Sequence, residues 1–387
     1  MGKSMKKYVV ISGFNINQAN RGNAALSYGS IHFLEERGLF HKDNELVFFF
    51  PYNNFLIKKH HHIQKSHAEY NKRDIVINYV PVFIVEKFLY MKWGISFPFS
   101  IFSKIIKNVE YEAADYGGDG FSDIYGDQLF SNRLRQTEIL KKARVPLIML
   151  PMTIGPFKKE TNKKKAEEIM RYASKIYVRD NNYIKELDKL SLSYERSKDL
   201  SAYMLPEAWD INIPTNSIGI NVSGLALSNA FTGLEGQFDN YQLLIDNLIN
   251  HFRKLGNIIY LIPHSYNYHN PEPNNDDMVA CRKVYSDLGD KDNVILLDYD
   301  LTSPQVKYVI SKMRFFIGTR MHANFAAIYT NVPVFGLAYS YKFIGAFNAN
   351  GLDGEAQTYT INNLGKDKID DVIKKIDSVY SQAVASR

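Results

Sequence analysis

Short apolar runs that stop at Gly, Pro or a polar turn alternate along this chain with stretches of helical periodicity. Residues 8–13 form a β-branched run ending in glycine, 14–23 an Asn- and Gly-rich loop, and Leu26, Ile31 and Leu34 mark a helix that ends near Gly38. Residues 45–50 are again apolar. Strand, polar loop, helix, strand is the pattern of an α/β protein with a parallel, doubly wound sheet. The first loop has no G-x-G-x-x-G, so an ordinary dinucleotide-binding turn is excluded. Further along, 146–151 and 175–180 are expected strands, with a charged helix over 163–173 between them.

The 387 residues exceed one ordinary core, which makes two domains the expectation. The alternation breaks around 206–214, where Pro214-Thr215-Asn216-Ser217 has the composition of a linker, and then restarts. Expected strands are 218–222, 257–262, 294–297, 314–317 and 332–337; expected helices are 241–255, 277–288, 303–313, 321–329 and 367–384. The reading is therefore an N-terminal Rossmann-like domain over 1–212 and a second over 213–366. They would face each other across a cleft in a glycosyltransferase-B-like arrangement. The segment 367–387 is a C-terminal helix able to cross back to the first domain.

Composition narrows the function classes. Hydrophobic residues are 45% and charged residues 23%, which is ordinary globular usage. Cys281 stands alone, so no intrachain disulfide forms. The basic start is followed by too short an apolar run for a signal peptide, and no run approaches a membrane span. The expected location is cytoplasmic, at most touching the inner face of the membrane. The net charge of +6 suits an anionic small substrate or an anionic lipid surface. Its densest spots are Lys58-Lys59-His60-His61-His62 and Lys163-Lys164-Lys165, read as exposed. The consecutive histidines lack metal-ligand spacing, and no nucleic-acid signature is present.

The chemistry concentrates in Phe315-Phe316-Ile317-Gly318-Thr319-Arg320-Met321-His322-Ala323, with Lys342 twenty residues beyond His322. A buried strand stops at Gly318 and turns into a helix. Such a turn aims backbone N–H groups and a helix dipole at one spot, a seat for an anion. Arg320 could grip phosphate or carboxylate and His322 could move a proton. Arg179 ends an earlier strand and His264 another, where ligands gather in open α/β sheets. The loop Gly117-Gly118-Asp119-Gly120-Phe121-Ser122-Asp123 permits close backbone approach, with Asp119 and Asp123 as groups that could orient hydroxyls or act as a base. Asn23 is a further candidate. Asn221-Val222-Ser223 matches a glycosylation acceptor but falls in an expected strand.

Together these pieces resemble the polysaccharide pyruvyl transferase family. The resemblance is carried in order by Arg21-Gly22-Asn23-Ala24-Ala25, the Gly117–Asp123 loop, Ile154-Gly155-Pro156-Phe157, Tyr177-Val178-Arg179-Asp180, Ile262-Pro263-His264, Gly318-Thr319-Arg320-Met321-His322-Ala323, Val332-Pro333-Val334-Phe335-Gly336 and Tyr339-Ser340-Tyr341-Lys342. Asp119 stands where many relatives have glycine, and the aspartate element before the domain junction appears only loosely, as Asp199-Leu200-Ser201-Ala202. The resemblance implies transfer of a pyruvyl group from phosphoenolpyruvate to two hydroxyls of one sugar, giving a cyclic ketal and phosphate, with no cofactor and no metal. The sugar would belong to a surface polysaccharide or its lipid-linked precursor. His322, Arg320 and Lys342 are the implied catalytic set; Arg179, Gly318, His264, Asp119, Asp123 and Asn23 the substrate-binding set. A glycosyltransferase using a nucleotide sugar and a non-catalytic sugar-phosphate-binding protein are the competing readings.

Overall fold

A computed structural model describes residues 7–53, 61–340 and 342–385. Lys58, Lys59 and His60 of the basic tract and Tyr341 of the last motif lie outside the described residues. The chain divides into two compact units. The first comprises Met1–Asn15 and Leu26–Met204, the second Ile16–Ala25 and Leu205–Arg387.

The first unit holds β1 (Lys7–Ser12), β2 (Asn44–Tyr52), β3 (Gln64–Tyr70), β4 (Arg73–Phe83), β5 (Val109–Ala114), β6 (Leu147–Met152), β7 (Lys175–Val178) and β8 (Glu195–Arg196). They form one sheet in the order β3-β4-β2-β1-β5-β6-β7-β8. Every pairing is parallel except β3 with β4. That antiparallel hairpin turns through Asn71 and Lys72, both at positive φ, as a tight hairpin requires. The central strands are apolar on both faces, as sheets covered on two sides must be. β5 departs from this, with Glu112 buried mid-strand.

The second unit holds β9 (Ser217–Asn221), β10 (Ile258–Leu261), β11 (Val294–Leu296), β12 (Phe315–Gly318), β13 (Val334–Ala338) and β14 (Thr358–Thr360). All run parallel in the order β11-β10-β9-β12-β13-β14. This is the doubly wound 3-2-1-4-5-6 order, whose ligand crevice lies where the order reverses. Here that point is between β9 and β12. The helix Tyr241–Lys254 buries Tyr241, Leu244, Ile245, Leu248, Ile249 and Phe252, one stripe at 3.6-residue spacing. The helix Ser303–Ser311 starts on a capping box between Thr302 and Gln305.

Two boundaries differ from the sequence reading. The change of unit falls at Met204, not 212, because Trp209, Ile211 and Ile213 pack on the second core and Glu207 N–H donates to Pro304 O at 3.1 Å. Residues 16–25, expected in the first domain, belong to the second unit. The terminal helix Ile369–Ala385 also changes assignment. Its buried Ile369, Val372, Ile376 and Tyr380 join the second unit's own core, Tyr380 meeting Phe252 and Phe315 at ring-centroid distances of 5.2 and 5.5 Å. Among the described residues no helix is long and apolar enough to cross a membrane.

Candidate active site

β12 places Gly318 directly opposite Asn221, the last residue of β9. Asn221 is fully buried and ties the turn together. Its Oδ1 accepts from Arg320 N–H at 2.8 Å, and its Nδ2 donates to Ile262 O at 2.9 Å and Asp277 Oδ2 at 3.2 Å. From the following helix, Met321–Ile328, Asn324 donates back to Gly318 O at 3.0 Å and Arg320 O at 3.2 Å. Gly318 is glycine for a steric reason, since a Cβ there would lie 2.2 Å from Asn324 Oδ1. Thr319, also fully buried, shares a 2.8 Å hydrogen bond with the Tyr241 hydroxyl.

The turn therefore presents Arg320 from a fixed base, and Asp277 fixes its far end. Arg320 Nε and Nη2 donate to Asp277 Oδ1 at 3.0 and 2.7 Å, and Nη2 also reaches Asn275 O and Oδ1, both at 2.8 Å. Asp277 has no exposure. It accepts as well from the backbone N–H groups of Gly224 (2.9 Å), His264 (3.1 Å) and Ser265 (2.9 Å). Burial opposes the charge of Arg320, but Asp277 and then Tyr339 outweigh it and raise the guanidinium pKa. Within the guanidinium of Arg320, Nε and Nη2 are thus held by protein.

Three more basic side chains gather here. His264 follows β10 and is buried; burial, then the charges of His322, Arg320 and Arg21, hold its pKa well below the ordinary histidine value. It is a neutral hydrogen-bonding group at pH 7. Arg21 enters on the 16–25 segment, which pairs in antiparallel fashion through Asn20 with Ser265. Its backbone N–H donates to His264 O at 3.0 Å and its carbonyl accepts from Ser303 Oγ at 2.6 Å. Its guanidinium lies 4.4 Å over the Tyr266 ring and pairs with Asp300 at 2.9 Å. The next residue, Gly22, lies against His322; a Cβ on it would come within 2.5 Å of His322 Nδ1. Asn23, half-buried, is one residue further along the same helix turn.

The other sequence candidates are placed differently. Lys342 opens the helix Lys342–Ala349, exposed, its N–H donating to Ser340 Oγ at 3.2 Å. Arg179, Asp119 and Asp123 belong to the first unit. Arg179 Nη1 pairs with Asp199, and Nε donates to Thr153 Oγ1 at 3.0 Å. Gly118 lets the guanidinium close in, since a Cβ there would lie 3.1 Å from Nη1. Asp119 is half-buried, accepts from the Tyr125 hydroxyl at 2.9 Å and adds negative charge near Arg179. Asp123 is a clamp. Its oxygens accept from Lys158 N–H (2.7 Å), Lys159 N–H (3.0 Å) and Asn162 Nδ2 (3.1 Å) at the start of the helix Glu160–Tyr172. These donors outweigh its burial and lower its pKa, so Asp123 ties its loop to the start of that helix.

Sequence reasoning passed over Arg21, Asn221, Asp277 and Asp199. Arg21 sat within a quoted motif, Asn221 within the dismissed glycosylation match, Asp199 within the loosely matched element; Asp277 looked like any helix start. Among the described residues no group of three or more His, Cys, Asp or Glu side chains is arranged to hold a metal ion.

The family model for polysaccharide pyruvyl transferases matches residues 20–341. The chain belongs to the polysaccharide pyruvyl transferase family. The match spans every element of the second-unit site, from Arg21 to Tyr339. The amylovoran biosynthesis protein AmsJ of Erwinia amylovora is 21% identical over 261 residues, 63% of this chain. The match covers 60% of that protein's length. Among solved structures, the UDP-GlcNAc 2-epimerase of Methanocaldococcus jannaschii aligns with a TM-score of 0.54 at 10% identity, covering 97% of this chain and 92% of that one. A Listeria monocytogenes protein described as a UDP-N-acetylglucosamine 2-epimerase gives 0.52 at 10%, covering 98% and 91%. At such identities the likeness is one of fold alone, a glycosyltransferase-B-like α/β chain.

Proposed function

We propose that this pyruvyl transferase family member moves the pyruvyl group of phosphoenolpyruvate onto two hydroxyls of one sugar in a surface polysaccharide or its lipid-linked precursor. The observation that carries this reading is the grouping of Arg21, His264 and Arg320 with His322 at the strand-order reversal of the second unit. A small ligand bearing both carboxylate and phosphate calls for several cations and a group able to move a proton.

In the proposed reaction the methylene carbon of phosphoenolpyruvate takes a proton and the neighbouring carbon becomes electron-poor. One sugar hydroxyl adds there and loses its proton. The carbon–oxygen bond to phosphate then breaks, the electron pair leaving with phosphate, and the second hydroxyl closes the ketal as its proton departs. Two hydroxyl protons are released, one balancing the methylene and one the phosphate. His322 is the proposed acid/base, Arg320 and Arg21 the proposed anion partners, and Lys342 the proposed aid to phosphate departure. Neutral His264 adds hydrogen bonding without charge. Arg179 and Asp119 are proposed substrate-binding residues.

The test is phosphate release from phosphoenolpyruvate with a galactoside or lipid-linked acceptor. Release requiring both substrates is expected. Turnover of a sugar nucleotide to nucleoside diphosphate, with phosphoenolpyruvate inert, would replace the reading by glycosyl transfer. His322→Ala should reduce turnover at least about 100-fold while phosphoenolpyruvate still raises the melting temperature; unchanged turnover would remove His322 from the chemistry.

A further inference from the structure

Fifteen large apolar residues are exposed among the described residues, and seven of them fall between Ile84 and Phe99. The helix Ile84–Trp93 turns Glu86 and Tyr90 inward, Tyr90 meeting Phe102 at 5.1 Å. Its outer face shows Ile84, Val85, Phe88 and Trp93, where a water-facing helix surface carries polar residues. The loop that follows adds Ile95, Phe97 and Phe99. That loop is anchored: buried Glu86 accepts from Phe97 N–H at 2.8 Å and Ser100 Oγ at 2.6 Å. Phe99 is 84% exposed and sits at φ +68. A bulky residue in the left-handed region is unfavourable, and here nothing is gained in water by holding its ring outward.

Within the stretch that forms this face, the charges not buried are all basic. From 84 to 107 the chain has four lysines and a single acid, the buried Glu86. Lys92 is exposed, with Nζ 4.5 Å over the Trp93 ring. Lys142 is exposed beside Gly94, which closes the helix. Aromatic rings flanked by lysines are the chemistry of a protein lying on an anionic bilayer, rings at the interface and ammonium groups at the headgroups.

We propose that the face formed by the helix Ile84–Trp93 and the Ile95–Phe99 loop docks peripherally on an anionic phospholipid bilayer. The proposal does not rest on the transfer chemistry, and its test reads binding alone. The chain has two tryptophans, Trp93 and Trp209. In a Trp209→Phe background, Trp93 reports on this face. Vesicles of phosphatidylglycerol and phosphatidylcholine should shift its emission to the blue, brominated lipid should quench it, and pure phosphatidylcholine should bind more weakly. Phe88→Ser with Phe99→Ser should weaken partitioning at least about tenfold, and Lys92→Glu or Lys142→Glu about fivefold each for the charge removed. All of these side chains face solvent, so melting temperatures should match the parent's. Absence of any shift on anionic vesicles at low salt would overturn the proposal. So would a concentration-dependent dimer in sedimentation that Phe99→Ser dissolves, because the face would then belong to a second copy of the chain.

Discussion

Arg320 after β12 and Arg179 after β7 are both strand-end arginines held by a buried aspartate, yet their surroundings have opposite sign. Arg320 pairs with Asp277 and shares its neighbourhood with Arg21, His264 and His322. Arg179 pairs with Asp199 and is also acted on by Asp180, Asp119 and Asp115. One region is a cluster of basic groups in which Asp277 is locked by backbone amides and Asp300 pairs with Arg21. The other is a single cation among four carboxylates. The first suits an anion; the second suits ligand hydroxyls, which donate to carboxylates. The same local device, an arginine at the end of a parallel strand, thus acquires two chemistries from distant residues.

The largest expected effect tests whether these arginines hold buried charge. Arg320→Ala leaves Asp277 buried without its cation and should cost about 3–5 kcal/mol in denaturant unfolding. The double variant Arg320→Ala with Asp277→Asn should recover part of the loss by removing the stranded charge. A loss no greater than that of Lys283→Ala, which breaks an exposed pair with Asp287, would break the comparison.

Opposite pH responses come next. Burial pushes Glu112 up to about 7, against hydrogen bonds from Ser12 (2.5 Å) and Thr137 (2.7 Å). Burial likewise pushes Asp115 up to about 6. For a carboxyl whose folded pKa is raised, the proton favours the folded state. That stability is full below the unfolded pKa and is lost as pH rises through the folded one, roughly 3 kcal/mol for a shift of this size. His264 runs the other way: its depressed pKa stabilises the fold above about 6.5, and this is lost as pH falls. Hydrogen exchange followed separately in the two units should show the first weakening from pH 4.5 to 7 and the second weakening below 6.5. Glu112→Gln should flatten the first trend and His264→Gln the second. Trends of the same sign in both units would remove the contrast.

The smallest effect separates the two loop aspartates. Asp123→Asn should cost about 1 kcal/mol of stability, as loss of a helix cap does, with little change in acceptor KM. Asp119→Asn should leave the melting temperature within a degree or two and raise acceptor KM. The reverse pattern would exchange their roles.

Much of the fold was legible because its signals are local. The six strands of 217–360 follow apolar runs, apart from short β14, and the stripe of 241–254 is a helix by spacing alone. β5 was hidden because Glu110 and Glu112 interrupt its apolar pattern; only the hydroxyls of Ser12 and Thr137 make Glu112 tolerable inside a sheet. The β3–β4 hairpin was hidden by its polar edge strand. At the site, Gly318, Arg320, His322 and His264 were readable as residues at strand ends, whereas the placement of Asn23 and Arg21 in the second unit was not. Nothing in a contiguous sequence marks ten residues that leave one folding unit to pack in another.

By itself, then, the sequence determined the strand–helix alternation, the two-unit size and the chemistry of the turn after β12, because hydrophobic periodicity and turn geometry act over a few residues. Tertiary structure decided which charge meets which. Arg320 finds Asp277 across 43 residues, Arg179 finds Asp199 across 20, and Arg21 finds Asp300 across 279. Electrostatic environment depends on distance in space and on exclusion of water, and neither is a local property of the chain.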